Sequence, residues 1–305
     1  MRCLAVALAL TSLLLGVSPA RAQRSTGAPD EPRRSPAAWR TLIAGDANVY
    51  DSLRLPSGVA VDGSGGVYAV DTANSRILKL SRSGAVLGTF GAFGPGPEEL
   101  KRPRGAVVDA QGVLFVADTA NFRVQRFSVD GEPLGPFGSI GSAPGEFILP
   151  EGVTLDEDGN VYVADTGNHR VQKLSPTGQP LAIWGGVGQL SFPHAVALDQ
   201  AGNLFVSDAE GLKELALASG ELVRQWSEFG DPYGVALDGD GNVYVADTDH
   251  ARVVQLSPEG EPVARWGGEG SGPGQFKLPE AIAVDGSGNV YVADRGNNRI
   301  QVLVR

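Results

Sequence analysis

Two sets of residues in this 305-residue chain have types and spacings that could do chemistry. The first is a carboxylate with a cation five residues later: Asp71/Arg76, Asp118/Arg123, Asp165/Arg170, Asp208/Lys213, Asp247/Arg252 and Asp294/Arg299. Carboxylates in such number could bind calcium or share acid–base work. The second set follows a proline each time: Ser57, Arg104, Glu151, His194, Tyr233 and Glu280. Two carboxylates, a guanidinium, an imidazole, a phenol and a hydroxyl could together hold a metal, an anion or a polar small molecule.

The elements that position both sets are short strands. Glu151 to Gly185 contains four runs of strand-forming residues, GVTLD, NVYVAD, RVQKLS and PLAIW, separated by Asp/Gly/Asn/Pro turn signals. One sheet of that size cannot cover its own apolar faces. The chain supplies six copies, beginning at Pro56, Pro103, Pro150, Pro193, Pro232 and Pro279, spaced by 47, 47, 43, 39 and 47 residues. Six four-stranded antiparallel units of about 40 residues predict an all-β, six-bladed β-propeller over residues 38–305. The sixth copy ends after its third strand, RIQVLVR, while Trp39 to Gly45 resembles the fourth strands that end in TFG, PFG and IWG. The N-terminal segment is therefore expected to complete the last blade and remove its exposed edge.

The six copies act as internal controls. The Asp/cation pairs recur in all of them, so they read as scaffold, with each carboxylate capping a strand end and each cation bridging to backbone or carboxylate. The Asp-x-Asp-Gly segments at Asp156 and Asp238 lack the downstream glutamate of a calcium loop and read as hairpin turns. The residue after each proline differs from copy to copy. It begins the innermost strand, so the six should ring one channel mouth, on the face carrying the long Gly/Pro loops between blades. This ring is the candidate ligand site: Arg104 and Tyr233 are its catalytic candidates, and Glu151, His194 and Glu280 its candidate ligands for zinc or calcium. His169 and His250, the other two histidines, fall in second-to-third-strand turns away from the ring.

GNVYVADTGNHRVQKLSPTG and GSGNVYVADRGNNRIQVL resemble NHL repeats, and the resemblance covers residues 38–305. The fourth unit departs most: AEGLKEL has Gly211 where Asn74, Asn121, Asn168 and Asn297 stand elsewhere. The motif is specific for fold and weakly specific for function. Six-bladed peptidyl-α-hydroxyglycine amidating lyases are similar; that resemblance implies a zinc histidine at His194 with Tyr233 and Arg104 assisting. The lyase's other histidine positions are occupied here by Ser57, Glu151 or Glu280. Lactonase-type propellers are similar in placing acidic ligands around calcium, which would fall to Glu151 and Glu280.

Composition narrows the partners. Residues 1–22 have a basic start, an apolar run from Leu4 to Val17 and Ala20-Arg21-Ala22, the pattern of a cleaved export signal. Cys3, the one cysteine, would leave with it. Residues 23–37 are rich in Pro, Arg and Ser and read as a disordered leader. Without Arg2 and Arg21 the chain keeps 23 Lys and Arg against 35 Asp and Glu, a net −12. That charge opposes binding to nucleic acid or anionic membranes, and no later run is apolar enough to insert in a bilayer. The expectation is a monomeric propeller exported to the periplasm or beyond, binding a protein, peptide or glycan without catalysis. The alternative is a metal-dependent lyase or hydrolase at the mouth.

Overall fold

The computed structural model describes residues 38–45 and 52–305; the expected export signal and leader lie outside these. The described residues form a six-bladed antiparallel β-propeller. Blade 1 is built from Gly58–Val61, Val67–Asp71, Arg76–Leu80 and Val86–Phe90. Blades 3, 4 and 5 repeat the order with innermost strands Pro150–Leu155, Ala195–Leu198 and Gly234–Leu237. Blade 6 takes three strands from the C-terminus, Pro279–Val284, Val290–Asp294 and Arg299–Val304, and its fourth from Ala38–Ala44. That last pair runs antiparallel from Ala38 opposite Val304 to Ala44 opposite Arg299, with a bulge between Thr41 and Ile43.

Blade 2 departs from the expectation of four strands, having only Ala106–Val108, Val113–Asp118 and Arg123–Ser128. Its outer segment, Pro133-Leu134-Gly135-Pro136-Phe137, still bonds to the third strand through Leu134 and Phe137. Two prolines, which lack an N–H to donate, keep it from forming a regular ladder.

The alternation of Val, Ala and Tyr along the strands produces six apolar clusters, one between each pair of neighbouring blades. Tyr68, Val70 and Ile77 of blade 1 meet Leu114, Val116 and Phe127 of blade 2. Leu42, Tyr291 and Ile300 of blade 6 meet Val59, Val67 and Leu78 of blade 1, closing the ring. No blade has a core of its own, so each depends on both neighbours.

Close approach of the innermost strands requires glycine at one point in four blades. A Cβ on Gly58 would lie 2.0 Å from the carbonyl oxygen of Arg104, and one on Gly105 2.4 Å from that of Glu151. This contact brings consecutive ring side chains together. Among the described residues, no helix is long and apolar enough to cross a membrane.

Candidate functional site at the channel mouth

The repeated carboxylates are structural in every blade. Each of the six strand-end aspartates is fully buried and accepts from the backbone N–H seventeen residues upstream, that of Arg54, Lys101, Ile148, Ser191, Gly230 or Lys277. Asp165 shows the complete set: Ile148 N at 2.8 Å, Asn168 Nδ2 at 2.9 Å, Arg170 Nε at 2.7 Å and Gln172 Nε2 at 2.9 Å. The Arg170 fork then donates to the carbonyls of Ser142, Ala143 and Glu146, fixing the preceding loop. The threonine after the aspartate ties each such blade to the next, Thr166 Oγ1 donating to Pro193 O at 2.7 Å. Carboxylates with this many partners have no capacity left for a metal or a proton transfer.

The six variable residues all line one cavity of about 80 Å³ at the mouth of the channel. Arg104 lies between the two glutamates, its Nη1 3.4 Å from Glu151 Oε2 and 4.0 Å from Glu280 Oε2. His194 stacks on Tyr233, ring centres 3.9 Å apart and planes 14° from parallel. Its Nδ1 lies 3.0 Å from Glu151 Oε2 and its Nε2 3.3 Å from Asp231 Oδ1. A neutral imidazole can donate from only one nitrogen, so two carboxylate partners require the imidazolium. Burial opposes that charge, but Asp231 and Glu151 outweigh it and push the His194 pKa up to about 9. Burial, with Glu151 nearby, raises the Tyr233 phenol, which stays neutral.

Glu280 is the least satisfied member. It is 7 % exposed, and its Oε2 has no hydrogen-bond partner among the described residues. Burial pushes its carboxyl above the ordinary range, against the pull of Arg104, of the Ser57 hydroxyl and of Arg295. Ser57 completes the ring and is itself buried.

Glu151, His194 and Glu280, the expected metal ligands, all line the mouth, each beside other charged partners. Among the described residues no three His, Cys, Asp or Glu side chains form a group that could hold a metal ion. Arg104 stands between the two glutamates, and both nitrogens of His194 already face carboxylates. His169 and His250 are not part of the cluster. His169 Nδ1 accepts from Phe192 N at 3.2 Å, and His250 Nδ1 meets Asp247 at 2.8 Å.

Two members of the cluster lie outside the after-proline set. Asp231, before Pro232, holds His194; its counterparts are Leu55, Arg102, Leu149, Phe192 and Leu278. Arg295 Nε lies 3.3 Å from Glu280 Oε1 and replaces the threonine found at Thr72, Thr119, Thr166 and Thr248. The signal was the same in kind: each is the odd residue at a position where most blades agree.

The NHL repeat family matches residues 53–80, 100–127, 147–174, 229–256 and 276–303. The unmatched stretch is blade 4, which nonetheless folds as four strands; Lys213 takes the arginine's place there, 2.8 Å from Asp208. The chain belongs to the NHL-repeat β-propellers. No curated protein sequence matches it. Among solved structures it is similar to a gluconolactonase from Xanthomonas campestris, at 16 % identity and TM-score 0.67 over 88 % of this chain and 91 % of that one. It is also similar to virginiamycin B lyase from Staphylococcus aureus, at 14 % identity and TM-score 0.60 over 88 % and 85 %. A third is hydrazine synthase from Kuenenia stuttgartiensis, at 13 % and 0.61 over 85 % and 97 %. Likeness at these identities establishes the propeller fold alone.

Proposed function

We propose that this propeller is a non-catalytic recognition module that takes a peptide or protein segment on its long-loop face. The observation that carries the reading is a discontinuous collar of exposed apolar side chains around the charged mouth. Topology puts every between-blade loop on that face. Phe93, Ile140 and Val187, on three consecutive between-blade loops, are 71, 65 and 92 % exposed. Nearer the axis, Leu55, Leu149, Phe192 and Leu278 are also exposed. These four adopt left-handed backbone with φ of 45 to 52°. Asp231 and Arg102 share that conformation at φ 40° and 50°, so the strain belongs to the repeat geometry. Phe192 rests edge-on against His169, ring centres 4.3 Å apart, yet stays half exposed, and exposed apolar surface of this kind marks interaction sites.

The collar is mostly aliphatic, which favours a peptide over a glycan, because sugars stack on aromatic faces. The four tryptophans, Trp39, Trp184, Trp226 and Trp266, sit instead in the outermost strands. A chain of net charge −10 draws a basic partner by long-range attraction. The occupant is therefore an apolar segment with flanking Lys or Arg. The same reading includes a monomer exported beyond the cytoplasm, which N-terminal sequencing of secreted protein starting at Gln23 would support.

Panning random peptides against the purified chain tests the proposal. Apolar, basic sequences should be enriched, and the double substitution Ile140→Asp with Val187→Asp should abolish their binding at an unchanged melting temperature. Failure to enrich any sequence, or equal binding by the variant, would overturn it.

A further inference from the structure

The mouth cavity has one feature that its balanced charges leave unexplained, a buried carboxylate oxygen without a hydrogen-bond partner among the described residues. It is Glu280 Oε2, shielded from solvent. Arg104 faces the same space, its contacts of 3.4 and 4.0 Å both longer than a good charge-assisted hydrogen bond. Glu280 and Arg104 therefore stand side by side with unused capacity, both among the residues that line a cavity of about 80 Å³. That volume holds a few waters or a group of about five heavy atoms.

Charge selects among the groups that could fill it. Arg104, His194 and Arg295 are balanced by Glu151, Asp231 and Glu280, so a net ion of either sign would upset the cluster. A zwitterion adds no net charge and offers both complements. Below the charged ring the wall turns apolar. Val59, Val153, Val196, Val235 and Ile282 line the mouth cavity and also the wider space of about 250 Å³ beneath it.

We infer that the channel mouth is a binding site for a free aliphatic α-amino acid. Its α-ammonium donates to Glu280 Oε2, its α-carboxylate accepts from Arg104, and its side chain lies on the Val/Ile wall. Burial pushes the Glu280 carboxyl above its ordinary range, and an ammonium at Oε2 would favour its ionised form. Asp231 and Glu151 act as positioning residues, holding the imidazolium of His194 against Tyr233 and away from the ligand's ammonium. The site does not depend on the apolar collar, so it stands or falls separately from peptide recognition.

Titration calorimetry of the whole chain with L-valine at neutral pH tests this, with isobutylamine and isovalerate as analogues that each lack one charged group. L-Valine should bind at millimolar concentration or below, with each analogue weaker by more than about tenfold. Glu280→Gln should weaken L-valine by at least the same factor, while Ile140→Asp leaves it unchanged. Absence of L-valine binding to the correctly folded chain would overturn the inference, as would equal binding of either analogue. The analogue comparison uses the unaltered protein and holds even if Glu280→Gln does not fold. Loss of peptide binding in the collar variant with L-valine binding intact would separate this site from the peptide site.

Discussion

Asp165 and Glu280 are both buried carboxylates beside an arginine, and they differ in almost everything else. Asp165 accepts four hydrogen bonds and has an equivalent in all six blades. Glu280 has an oxygen with no hydrogen-bond partner among the described residues and stands at a position where only Glu151 is also a glutamate. Burying a carboxylate costs several kcal/mol unless hydrogen bonds replace its water. The aspartates recover that cost within the fold. Glu280 does not, and such an unpaid position persists where something outside the fold completes it.

The comparison is broken most directly by removing the satisfied partner. Asp165→Ala leaves Arg170, Asn168 and a backbone N–H without their shared acceptor, and should cost about 3–5 kcal/mol in a denaturant melt. A loss below about 1 kcal/mol would show that the repeated carboxylates do not hold the blades.

The next largest effect is a pH dependence from the mouth. His194 has a folded pKa of about 9 against an ordinary 6.5. Because the folded value is the higher, its contribution is fully present below pH 6.5 and is lost as pH rises through 9. The shift corresponds to roughly 3 kcal/mol. Stability measured between pH 6 and 10 should fall across that window in the native chain and stay flatter in His194→Gln. Parallel curves would mean that the imidazole is neutral and not held between Glu151 and Asp231.

A smaller effect tests how blades are joined. Thr166→Val removes the hydroxyl that donates to Pro193 O, and should cost about 1 kcal/mol. Blade 4 has Ala209 at that position, and Ser207 there donates to Tyr233 O at 2.8 Å instead. Ser207→Ala should therefore cost a similar amount, although alanine or valine is the residue found in the other five blades.

The fold was legible in the sequence because six copies repeat the same strand and turn pattern, and repetition averages out local ambiguity. Pro56, Pro103 and their equivalents located the innermost strands, and Trp39 to Gly45 could be recognised by likeness to other fourth strands. Blade 2 lost its regular fourth strand because Pro133 and Pro136 act through missing donors, which an apolar pattern does not register. The site was half legible. Comparing the residues after each proline found the ring, but pairings across the channel depend on side-chain reach. Asp231 contacts His194 from 37 residues away, and Arg295 reaches Glu280 from the adjacent strand pair. The surroundings of the candidate metal ligands were hidden for the same reason. Residue types alone do not reveal that a guanidinium occupies the space between two carboxylates.

The mildest and sharpest change is Glu280→Gln set beside Asp165→Asn. Both keep the side-chain shape and remove one charge. Asp165→Asn puts an amide N–H₂ against a site of donors only, and should cost about 2 kcal/mol or more. Glu280→Gln removes a charge whose ionisation the fold opposes. Its raised carboxyl pKa makes the native chain lose stability as pH rises from the ordinary carboxyl range through the raised value. Above that window the variant should lie within about 1 kcal/mol of the native chain, on either side. A large loss would place Glu280 with the scaffold despite its partnerless oxygen. A small one leaves its buried charge without a purpose in folding, and the reason for keeping it must then lie in what enters the mouth.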